Sequence, residues 1–346
     1  MNDNEMTVDF SRVVLDGSRE NSESDALFSI CLGPRNAKHP DPFNEEWWMD
    51  AATNGNFEII EIRHAGILRL SMPVFLSKRM GFTCIGMPIY TRTLGPTFYL
   101  PPSKPFKHAQ NVRNLIEELV GRLPRHDSIR IRLPPGDESA FGFSLQDFTC
   151  EEQFTFRVFY PSDIQSIWKN CDQKTRNVIR SAQQLVSVDY GYDFSDFVRL
   201  SLLNRSEKEN RNDFETMERI FNAAKIRNQA VILTARNRDG KKIAAAIIVW
   251  GASNAYFWQS ARDMSCGIGG VNALLLWKSI ELADRMGLTF DFDSYGSVNS
   301  AKFLAGFGLT PLVRTEVSRQ ILPYKLFKLA NGMMLKRAKA SADLKA

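Results

Sequence analysis

The chain is poor in the residues that metals and disulfides need. Its 346 residues include five cysteines (Cys31, Cys84, Cys150, Cys171 and Cys266) and four histidines (His39, His64, His108 and His126). The cysteines show no Cys-x-x-Cys spacing and the histidines do not cluster, which argues against a zinc site or a disulfide framework and fits a reducing compartment. Long apolar runs are missing too: none approaches the roughly 18 residues that a membrane span requires. The opening Met-Asn-Asp-Asn-Glu has neither the basic flank nor the apolar stretch of a signal peptide, so a cytoplasmic protein is expected. A large excess of either charge is missing as well: 44 Lys and Arg against 39 Asp and Glu leave a formal net charge of +5. No RNA-binding motif with interleaved aromatics accompanies it, and no DNA partner is expected.

Apolar residues are plentiful. With 44% hydrophobic content and 24 Phe, the chain can bury a large core, and its length favours two domains over one. Residues 1–25 are polar and weakly patterned, as expected of a flexible tail. Residues 323–346 interleave Lys325, Lys328, Lys336, Arg337, Lys339 and Lys345 with apolar groups. Two readings stand for this basic amphipathic segment: peripheral contact with the inner face of a membrane, or a terminal helix docked on the body with a solvated basic face.

Periodicity predicts a strand at 27–32, a helix at 45–53, strands at 57–63 and 67–76, a helix at 107–122 and a strand at 128–133. Helices at 162–170, 174–185, 194–204 and 214–228 follow, then strands at 230–237, 243–250 and 255–261. The Asp-Met-Ser-Cys-Gly-Ile-Gly-Gly loop comes next, then a helix at 271–286, a strand at 289–293 and a short helix ending in Gly-Phe-Gly. In that loop Gly267, Gly269 and Gly270 allow tight turning and bare N–H groups at a helix N-terminus, a cradle for phosphate or an ordinary turn. In the strand at 289–293 alternation places Phe290 and Phe292 on one face and Asp291 and Asp293 on the other. Two carboxylates on one face of such a strand are costly unless paired, hydrogen-bonded or used. The bland alternative has one capping the turn at 294–297 and the other paired with a base such as Arg262.

The run "GGVNALLLWKSIELADRMGLTFDFDSYGSVNSAKFLAGFGLTPL" resembles the C-terminal half of the FemAB-like branch of the GNAT (acyl-CoA N-acyltransferase) superfamily. That branch includes peptidoglycan aminoacyltransferases and acetyltransferase domains found beside polysaccharide-synthesis proteins. Thr175-Arg-Asn-Val-Ile-Arg-Ser-Ala182 is similar to its Arg-x-x-Ile-Arg-x-Ala helix, and Trp47 to Arg63 with Pro73 and Gly95-Pro96 is similar to its N-terminal half. The resemblance implies an α/β fold of tandem GNAT-like units at 26–155 and 156–322, each a mixed, mostly antiparallel central sheet flanked by helices.

The resemblance also implies an acyltransferase that moves an acyl group from acyl-CoA, acetyl-CoA first, to an amine or hydroxyl of a sugar or cell-envelope precursor, small or linked to a lipid or nucleotide, with no metal. Asp291, Asp293 and Tyr295 are its candidates for catalysis. Gln259, Arg262, Gly267, Gly269, Gly270 and Asn272 are candidates for holding the co-substrate. Tyr256, Arg176, Arg180, Lys302 and Phe303 are candidates for the acceptor, although the two helix arginines equally suit a solvated face. The pattern departs from the family at two places. Phe303 stands where many single-domain members have a proton-donating Tyr, and Leu304 replaces the Lys of Phe-Lys-x-x-Phe-Gly. Two other functions therefore stay open: aminoacyl-tRNA-dependent transfer to a peptidoglycan precursor, and a non-catalytic GNAT-like binding module.

Overall fold

The computed structural model describes residues 28–29, 31–33, 35–203, 212–293, 295, 297–328 and 330. Its strands are β1 (Glu58–His64), β2 (Ile67–Arg79), β3 (Phe82–Gly86), β4 (Thr97–Phe98), β5 (Ser128–Arg132), β6 (Thr149–Val158), β7 (Val186–Gly191), β8 (Ala230–Asn237), β9 (Lys242–Trp250), β10 (Asn254–Arg262), β11 (Thr289–Asp291) and β12 (Pro311–Gln320). The helices are α1 (Glu46–Thr53), α2 (Pro105–Arg122), α3 (Ser139–Ser144), α4 (Ile164–Asn170), α5 (Gln173–Leu185), α6 (Phe194–Leu202), α7 (Phe214–Lys225), α8 (Val271–Arg285) and α9 (Val298–Ala305).

The strands form one sheet in the order β1-β2-β3-β5-β12-β6-β11-β10-β9-β8-β7, with β4 on the side of β2. Each half of the chain contributes an antiparallel run that ends in a parallel pair, β3 with β5 and β10 with β11. Beside each parallel pair lies an antiparallel strand from the other half. β12 pairs with β5, and β6 pairs with β11. The halves thus exchange their last strands, which then pair with each other along Thr149–Phe156 and Pro311–Ser318. The boundary expected at 155/156 falls inside β6.

Three apolar clusters hold this sheet between helices. One face of the second half packs Phe156, Val158, Ile248, Phe290 and Phe292 against α5 and α8. The opposite face packs Val249, Tyr256 and Trp258 against α1, α6 and α7. In the first half, Met72, Ile85, Ile129 and Val317 pack against α2. Full burial of a side chain such as Phe290 contributes about 1.5–3 kcal/mol. The helices begin as the sequence suggests: Asp172 accepts from the N–H groups of Lys174 and Thr175 to cap α5, and Asp163 caps α4 in the same way.

Several expectations need correction. Residues 28, 29 and 31 are helical, where a strand was expected. The strand expected over 289–293 ends at Asp291, because Asp293 has φ 62°, in the left-handed region that no strand tolerates. Strands β3, β4, β6, β7 and β12 had no counterpart in the periodicity. The tail at 1–25 lies outside the described residues. In the C-terminal segment a helix covers 322–328 and sets Tyr324 and Phe327 against Phe82 of β3, while Lys336, Arg337, Lys339 and Lys345 lie outside the described residues. Among the described residues no helix is long and apolar enough to cross a membrane, and no His, Cys, Asp or Glu gather in threes suited to a metal ion.

Candidate active site

The site is built where two parallel strands part. β10 and β11 pair only at Asn254–Thr289, Ala255–Phe290 and Tyr256–Asp291. Just beyond, β10 bulges: its register against β9 skips Trp258. A bulge leaves its extra residue out of the ladder and re-aims the strand. At the same level Asp293 turns β11 away with its positive φ. The result is a gap between the ends of two central strands.

A buried polar network closes the base of the gap. Arg157 Nε donates to Asp291 Oδ2 at 2.6 Å and Thr155 Oγ1 to Asp291 Oδ1 at 2.6 Å. The Asp293 N–H also donates to Asp291 Oδ1. Arg157 Nη2 donates to the Tyr256 hydroxyl at 3.0 Å, and that hydroxyl donates to Asp41 Oδ1 at 2.6 Å. Burial opposes the charge on Arg157, yet Tyr256, Asp291 and Asp41 outweigh it and raise its pKa. Burial and then the Asp41 charge hold the Tyr256 phenol well above its ordinary value. Asp291 is fully buried with its oxygens engaged, so the network reads as a rigid floor.

Asp293 sits one step outward and faces different partners. Arg92 Nε lies 2.7 Å from its Oδ2 and Arg314 Nη1 lies 3.6 Å from its Oδ1. Arg92 comes from the first half of the chain and also donates from Nη2 to the Trp258 carbonyl at 2.5 Å. One side chain of the first half therefore bridges both lips of the gap. The base pairings differ from the expected one, since Arg262 donates instead to the Ile268 carbonyl and pins the glycine loop. Arg92, Arg157 and Arg314 had drawn no notice in the sequence, because a lone Arg among polar neighbours carries no local pattern.

The glycine loop lies at the far end of β10. Gly270 caps α8 with φ 75°, and a Cβ there would come within 2.3 Å of the Val178 carbonyl oxygen of α5. Only glycine fits that approach. Gly267 also has positive φ, whereas a Cβ on Gly269 meets nothing within 4 Å. Gly269 borders a cavity of about 530 Å³ lined on its other side by Asp172, Lys174, Asn177, Ser181 and Leu185 of α5 and its cap. The Asn272 Oδ1, in the first turn of α8, is buried with no hydrogen-bond partner among the described residues.

The remaining candidates scatter. Gln259 and Arg262 follow the bulge on β10. Tyr256 is fully buried at the floor, and Tyr295 is partly exposed beyond Asp293. Arg176 Nη1 donates to the Lys169 and Cys171 carbonyls, which ties the start of α5 to the end of α4. Arg180 lies over the Trp168 ring. On α9, Lys302 and Phe303 are exposed, while Leu304 is buried in the core with Phe307. Asp291, Asp293 and Tyr256 are brought together, and Arg176 and Arg180 hold helices to one another.

The family model of the acetyltransferase (GNAT) domain matches residues 169–299, which run from the end of α4 into α9. This segment is similar to the acetyltransferase (GNAT) domain, and the match covers 131 of the 346 residues. The solved structure of FemX aligns with a TM-score of 0.65 at 12% identity, covering 91% of this chain and 98% of that one. The C-terminal domain of a protein assigned as lysylphosphatidylglycerol synthetase from Agrobacterium fabrum aligns with a TM-score of 0.53 at 12% identity, covering 91% and 97%. A conserved protein of unknown function from Bacteroides thetaiotaomicron aligns with a TM-score of 0.54 at 11% identity, covering 86% and 97%. At such identities these likenesses speak to the fold, which spans both units. No curated protein matches the chain.

Proposed function

We propose that this GNAT-type transferase moves an acyl group from acyl-CoA, acetyl-CoA first, to an amine or hydroxyl of a sugar or cell-envelope precursor. The observation that carries the reading is the gap between β10 and β11, with a bulge on one lip, a carboxylate on the other and a glycine loop at the helix that links them. The acyl arm enters between the parted strands. Its diphosphate rests by Gly267, Gly269 and the first turn of α8, where orphan N–H groups favour anions. Backbone N–H groups at the Trp258 bulge polarise the thioester carbonyl.

The acceptor's nitrogen or oxygen attacks that carbonyl and its proton passes to Asp293, which Arg92 holds in place. The carbon–sulfur bond breaks, and the coenzyme thiolate takes its proton from solvent, since Phe303 has none to give. Asp291 serves as a positioning residue that fixes the Asp293 backbone. Tyr295 and Lys302 flank the acceptor's approach.

Leu304 weighs against an aminoacyl-tRNA donor. It fills the family's lysine position from inside the core, and Lys302 projects from the exposed side of α9. Ribonuclease treatment that abolished product formation would restore that donor.

Isothermal titration with acetyl-CoA and coenzyme A tests the reading, repeated with Gly269→Trp, at a position where an added Cβ meets no atom within 4 Å. Micromolar binding lost in the variant is the expected result. Absence of binding to either ligand in the wild-type protein would overturn acyl-CoA as the donor.

A further inference from the structure

One face of the sheet at the join of the two units carries guanidinium groups that the local acids do not fully use. Register places Arg132 of β5 opposite Glu316 of β12, and Arg314 of β12 opposite Gln153 of β6, all on the face that also bears Thr155, Arg157 and Asp291. Glu316 is engaged first by Arg130, at 2.5 Å, and reaches Arg132 only at 3.5 Å. Asp293 is engaged first by Arg92, at 2.7 Å, and reaches Arg314 only at 3.6 Å. Each acid thus has a close arginine and a distant one.

The two distant arginines keep donors to spare. Arg132 Nε, and Arg314 Nε and Nη1, are buried with no hydrogen-bond partner among the described residues. Arg314 is 1% exposed. A buried guanidinium left short of acceptors is costly, and an apolar residue in its place would cost the fold less. Like charges add to the cost: after burial itself, Arg314 is the next influence lowering the pKa of Arg132. The guanidinium fork matches the two oxygens of a carboxylate or phosphate better than any other partner.

We propose that Arg132 and Arg314, with Arg92 beside them, bind an oxyanion group of the acceptor substrate, a carboxylate or a phosphate. The position suits an acceptor, because Asp293 touches both Arg92 and Arg314 and stands at the lip of the gap. An anion held here sets its nucleophile against the acyl carbon. The same face continues past Arg130 into a cavity of about 460 Å³ lined by Glu151, Ser318, Lys325 and Lys328, which leaves room for the rest of the molecule. The proposal rests on acyl transfer taking place at the gap between β10 and β11.

The test uses the full chain without any acyl donor. N-acetylglycine supplies the carboxylate and methyl phosphate the phosphate, each titrated calorimetrically at constant ionic strength with chloride as the reference salt. Saturable binding of at least one probe is expected, weakened about tenfold or more in Arg132→Gln and less in Arg132→Lys, which keeps the charge and loses the fork. The surface variant Arg63→Gln should bind as wild type does. Which probe binds identifies the group. Binding of neither probe, or equal binding by wild type and Arg132→Gln, overturns the proposal. Because acetyl-CoA is titrated separately, failure there with success here removes only the donor, and the reverse removes only the oxyanion site.

Discussion

The molecule takes the same step twice, strand to helix to parallel strand, and finishes it in two ways. In the first unit β3 runs against β2 without a break in register, residues 87–104 lead to α2, and β5 returns beside β3 at Cys84–Ser128 and Ile85–Ile129. In the second unit β10 carries the bulge at Trp258, a short glycine loop leads to α8, and β11 parts from β10 after Asp291. α2 buries one stripe, Val112, Leu115, Ile116 and Leu119, while α8 is buried nearly all round. The first unit kept the plain version of the step. Its contributions to the site include Asp41 and Thr155 at the floor and Arg92, carried on the connection that follows β3.

The comparison is sharpest at one buried polar residue of each returning strand, Asp291 at the end of β11 and Ser128 at the start of β5. Asp291→Asn leaves Arg157 as a buried charge without its partner, and a loss of about 3–5 kcal/mol is expected in urea unfolding. Ser128→Ala, in the returning strand of the first unit, should cost no more than about 1 kcal/mol. Similar losses for the two would erase the distinction between a plain and a furnished step.

Neighbouring glycines divide next. Gly270→Ala forces a Cβ against the Val178 carbonyl at positive φ, for an expected cost of about 2–4 kcal/mol. Gly269→Ala should stay within about 0.5 kcal/mol. For turnover, Asp293→Asn is expected to slow the reaction about 100-fold while coenzyme A binding holds. An unchanged rate would remove Asp293 from the proton's route.

The loop after β10 gives a pH effect. Ser265 and then Lys241 pull the Asp263 carboxyl down to about 2. A depressed folded-state pKa adds stability that is fully present above the unfolded value, about 3.9, and fades as pH falls toward about 2. Acid unfolding of Asp263→Asn should therefore lack this part of the pH dependence. The smallest effect concerns thiols: burial pushes Cys31 up to about 12 and Cys171 up to about 11. A thiol reagent should label the exposed Cys150 and half-buried Cys266 in the native protein and reach Cys31, Cys84 and Cys171 only on unfolding.

Much of the second unit was legible because its elements obey simple periods. β8, β9 and α8 are buried through nearly their whole length and read as long apolar runs. Among the strands that escaped are the two at the join. β12, Pro-Leu-Val-Arg-Thr-Glu-Val-Ser-Arg-Gln, and β6, Thr-Cys-Glu-Glu-Gln-Phe-Thr-Phe-Arg-Val, place charged and polar groups on a face that the fold buries. Hydrophobic alternation fails where the inward positions hold Arg314, Glu316 and Arg157. The Asp291 and Asp293 pair was visible, but Arg157 lies 134 residues from Asp291 and Arg92 and Arg314 reach Asp293 from other elements, beyond the reach of local spacing. The positive φ of Asp293 had no signal either, since Asp tolerates extended backbone equally well.

The exchange of last strands bears on how the molecule is made. During synthesis the first unit emerges with the edge of β5 open, and the strand that covers it is β12, whose Glu316 meets Arg132 across 184 residues. Its own terminal strand, β6, waits for β11. The sheet cannot close at its join until nearly the whole described chain has been translated. Contacts of that separation form late, and an open edge can meanwhile pair with another copy. Cutting the gene between the units would yield two fragments, each carrying the other's closing strand, that fold only when expressed together.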